Sequence, residues 1–169
     1  MAKKPAVRQE YAGDIRQHAV EAHDEFITRV KQALARAKRL AEDEHTRASH
    51  DWKDKRASNM ATIKGCEESG IVEAVRRYGG INTGVLRVSD ENLAQFLAGV
   101  HAKLTLNIQE RSDRVAKLSL ELYRHNPDSG KASEARASHI VTVGYLEGYK
   151  RVLALFDACF GVLRDRLAA

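Results

Sequence analysis

The side chains of this chain best placed to do chemistry are cationic. Arg111 falls inside an apolar helical stripe, between Leu104 and Val115. A buried charge without a partner is strongly destabilising, so a cation there needs an anion. Asn107 and Arg114 lie on the same flank, with Lys103 and Lys117 close by. One reading is a basic ridge that touches phosphates, with Arg111 at its centre. A second is an ion pair between helices, with Glu44 as the natural partner, because Glu44 is the acidic interruption in the first helix's apolar stripe. A third is a contact with another protein.

A second cationic grouping runs from Arg29 to Arg39. It holds Arg29, Lys31, Arg36, Lys38 and Arg39 and no acid. Arg29 and Arg36 are seven residues apart and project from one side of a helix. Spaced cations of this kind neutralise phosphates and release condensed counterions. The same run also serves as a solvated face that keeps a protein soluble. The third grouping is Arg76-Arg77-Tyr78-Gly79-Gly80, with Arg87 following. The tyrosine could stack on an unpaired base while the arginines hold the backbone. Alternatively, the arginines answer a helix dipole, Gly79 stops the helix and Tyr78 caps the core.

Metal chemistry is poorly supported. Asp14, His18, Glu21 and Glu25 share one helical face, and Glu42–His45 has Glu-x-x-His spacing. Di-metal bundles need that pair on two helices, and only one is present. A Glu25–Arg29 ion pair at i,i+4 accounts for the face without metal. There is no phosphate-binding GxxxxGK[ST], no GxSxG, no His-Glu-x-x-His and no GxGxxG. The chain is read as nonenzymatic, without cofactor. Cys66 and Cys159 are its only cysteines and make no disulfide framework; both are expected to be reduced and inert, with Cys159 buried.

Helices must position these groups. From Asp14 to Lys64 there is neither proline nor glycine, and Ile15, Ala19, Ala22, Phe26, Val30, Ala33, Ala37 and Leu40 recur at spacings of three and four. That is one long amphipathic helix with a narrow stripe. The stripe weakens at Glu44, Ala48 and Trp52, within a polar run that either extends the helix or breaks it. Gly65 and Gly70 bracket a weak spot, and a short helix is expected over Ile71–Tyr78. The connection from Gly79 to Val88 is read as a loop with a short extended piece at Val85–Val88, too long for a helix-turn-helix. Ser89 is placed as an N-cap for a helix carrying Leu93, Leu97, Val100, Leu104, Val115, Leu118 and Leu122, which ends before Pro127. The last helix is expected from about Ser133 to Leu167.

Within it, Val152–Leu163 carries a single charge, Asp157, and its apolar side chains cover more than half the circumference. A surface helix needs only about a 100° stripe, so this segment is the inner helix of a bundle or meets another subunit. Gly144 and Gly148 share a face just before it and predict a point where another backbone comes very close.

The expectation is therefore an all-α fold: one elongated bundle over residues 1–169, with three long helices, one short helix and a basic tail at 1–5. No apolar run has the shape of a signal peptide or a membrane span, so the cytoplasm is the expected compartment. A net charge of +5 and a pI near 9.3 favour polyanionic partners. The function expected is contact with nucleic-acid backbone, RNA or DNA, without base reading, inside an assembly with other protein subunits. In size, helicity and basicity the chain resembles the small subunits of CRISPR effector complexes, a likeness of whole-chain properties. The alternative is a helical scaffold or adaptor that binds another protein or self-associates through its C-terminal helix.

Overall fold

The computed structural model describes the backbone of residues 7–51, 53, 55–80 and 83–168, with side chains from residue 14 onward among them. Trp52 and the basic tail at 1–5 lie outside the described residues. Four long helices carry the fold: α1 Val7–His50, α2 Lys55–Tyr78, α3 Leu93–Arg124 and α4 Gly130–Ala168. No strand occurs among the described residues.

The long glycine-free run is not one helix: α1 ends at His50 and the chain re-enters a helix at Lys55. The second helix is thus 24 residues long and is not confined to Ile71–Tyr78. Gly65 and Gly70 lie inside it, because packing against α4 outweighs a helix-propensity cost of about 1 kcal/mol per glycine. Its stop is the expected one. Gly79 takes φ +101°, its N–H reaches the Arg76 carbonyl, and the Gly80 N–H reaches the Val75 carbonyl. This pair of bonds satisfies carbonyls that the helix end would leave open. Val85–Arg87 is a 3-10 turn and not an extended piece, and Ser89 precedes a second such turn at Asp90–Asn92, which feeds α3. The α4 helix starts at Gly130, where the Ser129 hydroxyl accepts the Ala132 N–H at 3.2 Å.

Successive helices run antiparallel, and α2 and α4 therefore run parallel across the bundle. In an ordinary four-helix bundle such diagonal partners stand apart. Here α2 and α4 form the broadest interface, while α1 and α3 scarcely touch. The cross-section is a rhombus squeezed along the α2–α4 diagonal. Glycine makes this possible. A Cβ on Gly148 would lie 2.5 Å from the Glu67 carbonyl oxygen and 2.6 Å from the Ile71 nitrogen. A Cβ on Gly70 would lie 2.6 Å from the Tyr145 carbonyl oxygen, and one on Gly144 would meet Cys66 Cβ. The close approach expected from the Gly144/Gly148 pair is thus met by a third glycine across the seam.

Because α4 touches all three other helices, its wide apolar circumference is used within the chain. Val152, Phe156, Phe160 and Leu163 are buried. Phe156 and Phe160 join Phe26 and Tyr78 in an aromatic cluster with ring centroids 4.8–6.3 Å apart. Full burial of such a side chain stabilises by about 1.5–3 kcal/mol, so this cluster anchors the end of the bundle where α2 stops. Arg16 of α1 fastens the loop that follows, donating to the carbonyls of Val85 and Val88 at 3.4 and 3.0 Å and facing Asp90 at 3.4 Å. No helix, among the described residues, is long and apolar enough to cross a membrane.

Candidate nucleic-acid interface

The rhombus separates the cationic groups into two sets. Arg29, Arg36 and Arg39 lie on α1, and Lys103, Asn107, Arg111 and Arg114 lie on α3, at opposite ends of the long diagonal. Arg76 and Arg77 end α2 and are exposed, and Arg77 lines a cleft together with Lys103 of α3. The residues expected to act together do not form one surface.

On α1, Arg29 is committed to Glu25 at 2.5 Å, the i,i+4 pair that the sequence offers. Lys31, Arg36, Lys38 and Arg39 are all exposed and, among the described residues, none has a carboxylate within bridging distance. They fan across the outward half of the helix, because positions 31, 36, 38 and 39 all avoid the stripe of Val30, Ala33 and Ala37.

On the other side Arg111 is indeed half of an ion pair between helices, but its partner is not Glu44. Its guanidinium donates to Glu73 of α2 at 3.0 Å, and Glu44 bonds Arg47 one turn along its own helix at 3.0 Å. The physical reason is the topology: α1 and α3 are the pair held apart, so an α1 acid does not meet an α3 arginine. Arg111 also stacks over Tyr149 at 4.5 Å and Tyr145 at 5.7 Å. Tyr149 donates its hydroxyl to the same Glu73 oxygen at 2.9 Å, and Arg77 approaches that oxygen at 4.0 Å. Burial, and then Glu73, push the Tyr149 hydroxyl above its ordinary pKa, against the pull of Arg77. The Arg111 Nε is buried without a hydrogen-bond partner. Asn107 bonds back to the Lys103 carbonyl at 2.9 Å. A cleft of about 290 Å³ opens beside this cluster, lined by Glu73, Arg111, Arg114, Val141, Thr142 and Tyr145.

Tyr78 does not belong to a nucleic-acid surface. It is fully buried in the aromatic cluster, so it offers no face to a base. Its hydroxyl accepts the Val85 N–H at 3.2 Å and bonds His23 Nδ1 at 2.6 Å. Burial lowers the His23 pKa against the opposing effect of Asp24, and burial raises that of Tyr78. Both shifts favour the neutral forms, between which this short hydrogen bond is made. This triangle ties α1, α2 and the following turn together. Its only sequence signal was Tyr78 standing next to a helix stop.

A second acid–base cluster was not foreseen. Glu67 is buried at the α2–α4 seam, taking Lys64 at 2.7 Å and Arg151 at 2.8 Å. Burial acts to raise its pKa, but the hydrogen bonds and charges of Lys64 and Arg151 outweigh it and hold the carboxyl below the ordinary range. A seven-residue register between Glu67 and Ala74 on the buried face of α2 is the one available signal, and it is visible only once α2 is known to extend that far.

Asp14 and His18 are engaged by Arg166 of α4, at 3.1 and 2.8 Å. Among the described residues, no three His, Cys, Asp or Glu side chains gather to hold a metal ion. Cys159 is half-buried and not fully enclosed, as is Cys66, and burial pushes both thiols up. No family model, no curated protein and no solved structure matches this chain.

Proposed function

We propose that the protein is a nonenzymatic helical subunit that holds nucleic-acid backbone within a larger assembly, without reading bases, and that the outer face of α1 is the surface that does so. The observation supporting this is the set Lys31, Arg36, Lys38 and Arg39, four exposed cations within nine residues and unpaired among the described residues. They span about 12 Å of helix axis, the reach of a few phosphates. Contacts to phosphate fix position and carry no sequence information directly. An assembly of the CRISPR effector kind, whose small subunits the chain resembles in size, helicity and basicity, is the class of partner this reading names. The scaffold alternative rested on the breadth of α4, and that breadth is accounted for by contacts within the chain, with only Val141 and Val162 as large apolar side chains exposed on it among the described residues.

The test is binding of unrelated single-stranded RNA, single-stranded DNA and duplex DNA across a salt series. Contact with three or four phosphates gives a log–log slope of about −2 to −3.6. Arg36→Ala with Arg39→Ala should weaken binding equally for all sequences and flatten the slope by about 1.4–1.8. Unchanged affinity and slope in that variant would overturn the proposal.

A further inference from the structure

The cleft at Arg111 has features that neither the ion pair nor the α1 surface accounts for. Three guanidiniums, Arg77, Arg111 and Arg114, stand near one carboxylate, Glu73, with Glu110 acting on Arg77 from outside. One oxygen of Glu73 takes both the Arg111 and Tyr149 donors, so the acid answers part of the charge only. Arg114 lines the cleft with no carboxylate in bridging distance among the described residues. The Arg111 Nε is a buried donor left without an acceptor, which is costly in a folded protein and calls for a cause. The guanidinium carbon lies over the rings of Tyr149 and Tyr145, at 4.5 and 5.7 Å, and these contacts help to hold it in place. An arginine held over two tyrosine rings, beside a second with no carboxylate in bridging distance among the described residues, at the rim of a cleft of about 290 Å³, is an arrangement suited to a tetrahedral oxyanion.

We infer that the Arg111–Arg114 cleft between α2, α3 and α4 binds a terminal phosphate group, a phosphate monoester carried by a free nucleotide or by the 5′ end of a strand. A monoester is favoured over an internal phosphodiester because it brings close to two negative charges at neutral pH and three acceptor oxygens into a cleft with excess positive charge. One oxygen would take Arg111 and another Arg114. This site lies across the bundle from the α1 face and does not depend on the reading given for it.

The experiment follows the Nε–Hε signals of the arginines by nitrogen-edited NMR while inorganic phosphate, a nucleoside 5′-monophosphate, the matching nucleoside, and oligonucleotides with 5′-phosphate or 5′-hydroxyl ends are added. The expected result is a saturable shift of the Arg111 signal with the phosphorylated probes and none with the nucleoside or the 5′-hydroxyl strand. Comparison of the monophosphate with the 5′-phosphorylated strand identifies the source. Arg114→Ala, an exposed substitution that leaves the Glu73 pair intact, should weaken binding about ten-fold or more. Arg111→Lys should do the same, since it keeps charge but loses the planar fork. Arg36→Ala with Arg39→Ala should leave the monophosphate affinity unchanged, which separates this site from the α1 surface. No saturable shift with any phosphorylated probe, equal binding of the nucleoside, or full affinity in Arg114→Ala would overturn the inference.

Discussion

Glu67 and Glu73 lie six residues apart on α2 and flank the α2–α4 seam on opposite sides. Each gathers two basic side chains and each reaches a neighbouring helix. Yet the side chain of Glu67 is 3% exposed and that of Glu73 35%. Glu67 has a donor on each oxygen, Lys64 on one and Arg151 on the other. Glu73 concentrates Arg111 and Tyr149 on one oxygen beside open space, and cations outnumber it. A closed, saturated pair stabilises a crossing. An open one with surplus charge has capacity left for a ligand. Ion-pair distance alone does not separate the two, since they differ by only a few tenths of an ångström; saturation and access do.

Four experiments break or sharpen this contrast. The largest effect is expected at the seam that divides the two sites. Gly148→Val should destabilise by more than about 3 kcal/mol in denaturant melts, because the new Cβ meets the α2 backbone, which cannot give way as a side chain can. If the stability is kept, the glycines are not what closes the diagonal.

Next comes Glu67→Ala. It should cost about 2–4 kcal/mol, below the full cost of breaking a buried pair because Lys64 and Arg151 reach solvent once released. The pH dependence has a definite sign. The folded carboxyl is held below its ordinary value, so between about pH 4.5 and that lower value the unfolded chain binds more protons. The stability Glu67 contributes is therefore complete above about pH 4.5 and is lost as the pH falls through the folded pKa. Acid melts of the Glu67→Ala protein should lack that part of the decline. An identical acid limb in both proteins would place the acid sensitivity elsewhere.

The open site should be weaker. A double-mutant cycle of Arg111→Met and Glu73→Leu should show a coupling of about 1 kcal/mol, limited by partial exposure of both partners. A coupling as large as that of Glu67 with Arg151 would make the two sites equivalent in kind. The smallest effect is Glu44→Leu in the Arg111→Met background. It should be additive within about 0.5 kcal/mol, because Glu44 belongs to Arg47 and not to Arg111.

The sequence by itself determined the elements and their inner faces. The periodicity of Ile15 to Leu40, the stop at Gly79, the proline after Asn126 and the apolar breadth of Val152–Leu163 are local signals, and each is seen in the fold. It also marked Gly144 and Gly148 as a close approach, because a glycine pair on one helical face costs helix stability for no other evident reason. It misjudged α2, where Gly65 and Gly70 read as bracketing a weak spot. The role of Gly70 depends on the Tyr145 backbone of α4, far along the chain. It recognised that Arg111 needs an acid and chose the wrong one, since a stripe position tells that a residue faces inward but not which helix it faces. Only the tertiary structure decided that α2 and α4 share the short diagonal. That single choice paired Arg111 with Glu73, sealed Glu67 at the seam, buried Tyr78 and set the cations of α1 and α3 on opposite sides. Helix periodicity is a property of neighbours three and four residues apart. The order of helices around a bundle is a property of how closely their backbones can approach.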